Sequence, residues 1–319
     1  MHTRTSAQLR TDSVRSSLQR LCQERPAYQQ LADVFAPLLE CAELLREELA
    51  PTCPALPPHA QTLKGQGIPL LIGNDLKTWD QALDQSLKRM APVLETLLER
   101  PGLEALLRDQ MQRSGRTPAD LVLPLLQGDE AAIKRLATEL EQDRKDRDEP
   151  AIDPGRLGFF LHHVLSPVLS TAAAMLPEPA TWGDWKEPVC PVCGCLPAFA
   201  SLSPREPAHT EQIVSGGGRK HLHCGLCGHH WRIRRDACPG CGQADSEQRE
   251  LLYAQDAVRE RIEVCRACNG YALCVDLREY DPVPALETVP LALLHLDMVA
   301  RERGLRPLFR SIWNVLPQD

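Results

Sequence analysis

Cys190-Pro191-Val192-Cys193-Gly194 decides how this chain is read, because the same pattern returns three more times. It recurs as Cys224-Gly225-Leu226-Cys227-Gly228, Cys238-Pro239-Gly240-Cys241-Gly242 and Cys265-Arg266-Ala267-Cys268-Asn269. Two residues between the cysteines let one tight turn aim both sulfurs at one metal ion. Each unit ends on Gly or Asn, the residue types that take a positive φ at least cost. Pro follows the first Cys in two of the units and fixes φ there.

Two such units make one tetrahedral four-sulfur site, so four units make two. Thirty residues separate Cys193 from Cys224 and twenty-three separate Cys241 from Cys265, room for a strand to go out and return. Only ten separate Cys227 from Cys238. Sequential pairing is therefore expected, Cys190, Cys193, Cys224 and Cys227 in one group and Cys238, Cys241, Cys265 and Cys268 in the other. An interleaved cross-brace, first with third and second with fourth, is the alternative. Four thiolates suit zinc or a mononuclear iron, and spacing does not separate the two. Each ribbon of about 40 residues is too small to build much core, so metal is expected to hold it together. A thioredoxin-like dithiol would need a βαβ context that this Gly-rich region lacks.

Working outward, the chain has 319 residues and 13 cysteines, ten of them between Cys190 and Cys274. Cys195 and Cys274 lie outside the four units and read as small buried apolar residues. The N-terminal stretch has no apolar segment of a secretory signal, so the cysteines point to metal in a reducing, cytoplasmic setting rather than to disulfides. No run approaches the roughly 18 consecutive apolar residues of a membrane span. Thirty-six basic against 43 acidic residues leave a net charge of −7, which disfavours general affinity for nucleic acid.

The first half reads as helices. Apolar residues at helical spacing run through Val14, Leu18 and Leu21 after an expected Asp12 cap, then through 31–49, where Pro37 should kink or divide the helix. Further helices are expected over 83–97, after Pro101, after an Asp129 cap, and over 156–176, with His162 and His163 packed beside the last. The mixed-charge stretch 141–149 reads as a solvated linker, and Pro177, Pro179, Gly183 and Pro188 mark a boundary. Short strands are expected at 196–202, 230–234, 250–254 and 271–276, and a closing helix over 283–303. The fold expected is α+β: a helical domain over 1–185, a metal module over 186–232, a second over 233–282, and a helical segment over 283–319.

Between Gly216 and Arg235 lie five Lys or Arg, four His and no acid. This stretch motivates a nucleic-acid-binding zinc ribbon as one alternative function, and an iron-based electron-transfer protein is another. Gly216 to Gly218 read as a flexible turn, because no Lys-Ser/Thr of a phosphate loop follows. His221, His223, His229 and His230 could replace Cys as ligands, but eight cysteines already suffice. Trp231 reads as packing. No hydrolase elbow, zinc-protease helix, dinucleotide fingerprint or Walker A is present, so no catalytic residue is assigned.

The four units, with Gly217-Gly218-Arg219 before the second and Trp231 after it, resemble the formate dehydrogenase accessory protein FdhE family. Leu18-Gln19-Arg20-Leu21 leading through Pro26 to Leu31 and Phe35, and the Leu-rich tail around 291–304, are similar to that family's opening and closing segments. The resemblance implies a helical domain followed by two rubredoxin-like (zinc-ribbon-like) modules that bind iron through the Cys-x-x-Cys units. It implies a cytoplasmic, non-catalytic maturation factor that binds the formate dehydrogenase catalytic subunit before export. The eight metal ligands it implies are the cysteines named above. Asn269 departs from the Gly of the other three units without removing a ligand.

Overall fold

The computed structural model describes residues 11–56, 66–74, 76–142, 151–176, 185–203, 218–254, 258–309 and 311. The expected linker beyond residue 142, the boundary residues Pro177, Pro179 and Gly183, and Gly216 and Gly217 of the flexible turn lie outside the described residues.

Among the described residues, seven helices build the N-terminal half: α1 (Val14–Glu24), α2 (Gln29–Leu49), α3 (Asp80–Leu97), α4 (Leu103–Ser114), α5 (Pro118–Gln127), α6 (Glu130–Gln142) and α7 (Pro154–Ala174). The expected Asp12 cap is displaced by one residue. Ser13 accepts the amide of Ser16, while Asp12 pairs with Arg20. Asp129 does cap α6, its carboxylate accepting the amide of Ala132 at 2.9 Å. Pro37 neither ends nor divides α2, which runs unbroken through it. Leu38, Leu39, Leu45 and Leu49 are all buried, and that packing outweighs the one backbone hydrogen bond a proline forfeits. Helix α5 has no counterpart in the sequence reading. Its signal was present in Thr117-Pro118-Ala119-Asp120, a capping box with Pro in the first turn.

Helix α7 is the axis of the bundle. Leu157, Phe160, Leu161, Val164, Leu165, Val168, Leu169 and Ala172 are buried on more than one side, packed between α2, α3, α5 and α6. By length and composition α7 is apolar enough to cross a membrane, yet 67% of its most apolar window is buried inside the protein. It has the all-round apolarity of a central core helix.

The described residues of the C-terminal half form one seven-stranded sheet. Its strands are β1 (Pro197–Ser203), β2 (Arg219–Cys224), β3 (His230–Arg232), β4 (Arg249–Tyr253), β5 (Glu260–Cys265), β6 (Gly270–Asp276) and β7 (Arg306–Pro307). The order is β3-β2-β1-β6-β5-β4, with β7 against β6. Two antiparallel triplets, β1 to β3 and β4 to β6, meet at the parallel pairing of β1 with β6. The second triplet thus repeats the first along the sheet. Pro197 faces Cys224 in one, and Arg249 faces Cys265 in the other. Strands β2 and β5 were not legible as strands, because their charged and His residues mask the alternation that marks a half-buried strand.

Side-chain alternation sorts the two faces of the sheet. Phe199, Ile262, Val264, Tyr271, Leu273 and Val275 pack with Val289, Leu293, Leu296 and Ala300 of the closing segment. Ala200, Leu202, Leu222, Ala272 and Cys274 belong to the same core as the helical bundle. The expected closing helix is broken into α8 (Val289–Ala292) and α9 (Leu294–Glu302). That segment also anchors α1: Asp12 donates its amide to the Val283 carbonyl at 2.8 Å, and Ala285 donates to the Ser17 hydroxyl at 2.8 Å.

Candidate metal centres

Each Cys-x-x-Cys unit folds as the same knuckle. The amide of the first Cys donates to the carbonyl five residues on: Cys190 to Cys195 at 2.9 Å, Cys224 to His229 at 2.8 Å and Cys238 to Gln243 at 2.8 Å. Cys265 faces Gly270, its own fifth residue, across the β5–β6 turn. The residue after the second Cys is left-handed in all four units, Gly194 at φ 78°, Gly228 at 65°, Gly242 at 75° and Asn269 at 53°. Inside the turn, amides of Val192, Leu226 and Gly240 donate to Sγ of Cys190, Cys224 and Cys238, each at 3.4 Å. Such hydrogen bonds stabilise a negative sulfur.

Strand pairing then brings the knuckles together in sequence order. Cys190, Cys193, Cys224 and Cys227 form one group and Cys238, Cys241, Cys265 and Cys268 the other, the four sulfurs of each lying within 4.8 Å of one another. Across each group the contacts are Cys190–Cys227 at 3.6 Å, Cys193–Cys224 at 3.4 Å, Cys238–Cys268 at 4.0 Å and Cys241–Cys265 at 3.6 Å. A tetrahedral ion with bonds of about 2.3 Å needs sulfurs about 3.8 Å apart, whereas a disulfide needs about 2.05 Å. The separations fit the ion, and all thirteen cysteines are free thiols. The donor chemistry and the geometry therefore fit two tetrathiolate metal centres.

The electrostatics are matched in the two groups. Burial opposes ionisation of Cys224, but hydrogen bonds from Cys190, Cys193 and Cys227 outweigh it and hold this thiol well below its usual range. Cys265 is lowered in the same way, burial being outweighed by hydrogen bonds from the Cys268 amide and from Cys241, Cys268 and Cys238. Burial pushes the Cys227 thiol up, and Cys268 is pushed up to about 12.

The first group sits inside the main core. Ser166 of α7 donates its hydroxyl to the Leu226 carbonyl at 2.7 Å. The amides of Leu70 and Leu71 donate to the carbonyls of Pro191 and Val192 at 2.8 and 2.9 Å, and the Trp185 indole donates to Val189 at 2.9 Å. His162 hydrogen-bonds to the Gly225 backbone, and burial lowers its pKa to about 4. That α7 lies against the second knuckle was not legible from residue spacing, because the two are far apart along the chain. Cys195, read as plain packing, lies against Cys193, whose sulfur together with burial pushes the Cys195 thiol far up.

The second group is held differently. Asn269 donates to the Gly304 carbonyl at 3.2 Å, Arg306 to the Cys268 carbonyl at 3.3 Å and Leu308 to the Tyr271 carbonyl at 2.8 Å. A methyl group added at Gly240 would stand 2.6 Å from Leu308 Cδ2, and one at Gly270 closer still. Leu308 therefore wedges against two knuckles, and a side chain added at either glycine would have to displace it.

The histidines of the basic stretch stand outside both four-sulfur groups. His223 shares a 2.7 Å hydrogen bond with Ser201 and stacks on Phe199 at 4.4 Å, and His221 shares a 3.1 Å hydrogen bond with Ser203. Trp231 is fully buried. Lys220, counted in the positive stretch, is buried against Glu263 and adds nothing to the surface. Cys274 is buried, its thiol pushed up to about 12 by burial and by Glu263.

No protein-family model matches the chain. A Protein FdhE homolog of Haemophilus influenzae is 33% identical over 115 residues, 36% of this chain and 34% of that protein. One of Shewanella baltica is 33% identical over 119 residues, and one of Edwardsiella ictaluri 29% identical over 188, 57% of this chain and 56% of that protein. The matched stretch thus spans from about a third to a little over half the length of these curated relatives. The crystal structure of the FdhE protein from Pseudomonas aeruginosa shares the fold, with a TM-score of 0.56 at 23% identity over 93% of this chain and 92% of that one. The chain is thus similar in sequence to Protein FdhE homologs over part of its length and shares the fold of the Pseudomonas aeruginosa FdhE protein over nearly all of it.

Proposed function

We propose that this chain is a cytoplasmic, non-catalytic accessory factor in formate dehydrogenase maturation, which binds the catalytic subunit of that enzyme before export. Cys190, Cys193, Cys224 and Cys227 would hold one metal ion, and Cys238, Cys241, Cys265 and Cys268 a second. The observation that carries this reading is the pair of four-sulfur groups on an FdhE fold. The native metal proposed is iron, with zinc as the alternative; bound iron would supply one-electron redox chemistry, and zinc would supply cross-linking alone. The domain limits proposed remain 1–185, 186–232, 233–282 and 283–319, with β1 to β3 in the first module and β4 to β6 in the second.

Two experiments test the role: deleting the gene should abolish formate dehydrogenase activity, and the catalytic subunit of that enzyme should copurify with this chain from the wild-type strain. Intact enzyme activity in the deletion strain would refute it. Metal analysis of anaerobically prepared protein tests the centres, with two ions per chain expected. Absorption in the visible identifies ferric tetrathiolate, and a colourless protein with two zinc ions would reject iron.

A further inference from the structure

We propose that the two four-sulfur groups divide their work: the first is a sealed structural centre, and the second exchanges its metal ion with an incoming soft donor, such as a partner's thiolate, at Cys241. This rests on the reading that both groups hold metal.

Three observations carry it. Cys190, Cys193, Cys224 and Cys227 are all buried, at 0 to 5% exposure, whereas in the second group Cys268 is half-buried and Cys241 exposed. The left-handed turn residues, equivalent in every knuckle, report what covers each turn. A methyl group at Gly194 would meet Pro69 at 3.3 Å and Ile72 at 3.6 Å, and one at Gly228 would meet Ser170 at 3.9 Å, so the helical half roofs both knuckles of the first group. The same methyl group at Gly242, directly after Cys241, would find no atom of the described residues within 4 Å. Finally, Leu308 packs beside Gly240 and Gly270, so the closing segment braces the second group from one direction and leaves Cys241 open.

Access decides the chemistry. Thiolate exchange at a four-coordinate ion begins with a new donor entering the coordination shell. The donor's lone pair bonds to the ion as the Cys241 sulfur bond breaks, and the released thiolate takes a proton from water. The oxidation state of the ion does not change, so no electron donor or acceptor is required. Around the first group, packed core atoms occupy the space through which a donor would have to pass.

The full chain, loaded with zinc to two ions, is mixed with excess 4-(2-pyridylazo)resorcinol, and release is followed by absorbance. One equivalent should leave at least tenfold faster than the other. Cys241→Ser should abolish the fast equivalent and retain the slow one. Brief N-ethylmaleimide labelling of the loaded wild-type chain, mapped by peptide mass spectrometry, needs no variant: among the eight cysteines, Cys241 should be modified first. A chain that binds fewer than two ions removes the reading beneath the proposal. Two bound ions that leave at one rate, or Cys190, Cys193, Cys224 and Cys227 labelled as early as Cys241, overturn the division of labour alone.

Discussion

Lys220 of β2 and Glu263 of β5 form a buried ion pair although β1 and β6 lie between their strands. Arg261 reaches the other oxygen of the same carboxylate at 2.7 Å. The Lys comes from the first triplet of strands and the acid from the second, so one charged cluster spans the parallel seam on which the sheet depends. Such clusters fix register more surely than they add stability, because desolvation offsets much of their attraction.

Removing only the acid should therefore be costly. Glu263→Gln leaves Lys220 and Arg261 buried without their counter-charge, and the expected loss is about 3–5 kcal/mol. Burial alone would raise the pKa of Glu263, but Lys220 and Arg261 outweigh it and hold the carboxyl below its usual value. With the folded-state value depressed, the contribution is full above about pH 4.3, the unfolded value, and is lost as pH falls through the folded one. Urea unfolding of wild type and variant at neutral pH and at pH 4 measures both effects. Equal stability of the two at neutral pH would exclude the seam role.

Metal loss should act unequally on the helices. Cys224→Ser breaks the group that shares the core of α7, whereas a Cys238→Ser and Cys241→Ser double variant should lose the ion of the more exposed second group. A metal ion supplies on the order of 10 kcal/mol to a small ribbon. If only about 3 kcal/mol of this reaches the bundle, the helical melt of Cys224→Ser falls by roughly 6–12 °C. The double variant should retain its helical circular dichroism. Full loss of helix in the double variant would contradict this partition.

The turn residues offer a finer test. Gly242 has open space where a side chain would stand, so Gly242→Ala isolates the cost of its φ of 75°. That cost is about 1–2 kcal/mol. Asn269→Gly should be tolerated or slightly stabilising at the equivalent position, apart from its loss of the hydrogen bond to Gly304. Thermal melts of the metal-loaded variants report the difference, and a Gly242→Ala protein as stable as wild type would rule out strain.

His163 predicts an acid limit of a different origin. It is buried in α7 against Phe159 and His162, and burial, then the neighbouring imidazole, holds its pKa well below the usual value. With the folded value lowered, its contribution is whole above about pH 6.5 and declines as pH drops towards the folded value, because the unfolded chain takes up a proton first. His163→Leu should reduce the slope of stability against pH by up to about 1.4 kcal/mol per pH unit below 6.5. Chemical denaturation at pH 7, 6 and 5 measures that slope.

The knuckles were legible because everything that makes them is local. Two sulfurs, the residue that must turn left-handed and the amides that face the sulfur all lie within five residues of chain. Helices α2, α3 and α7 were legible for a related reason, since a periodic apolar stripe is written along one segment. Helix α5 was within reach through its capping box. Strands β2 and β5 were not, because Lys220, Arg261 and Glu263 are buried only by virtue of one another.

By itself the sequence determined the chemistry of the chain: four thiol pairs, the turns that aim them and a helical half of ordinary apolar periodicity. Only the tertiary structure decided that both modules share one sheet, that α7 and the loop at 66–74 close over the first four sulfurs, and that Cys241 stays open while Leu308 braces the knuckle beside it. The reason is physical. Turn geometry and coordinating atoms are set by neighbours along the chain, whereas burial is set by which distant surfaces meet, a sum over contacts that no single segment contains.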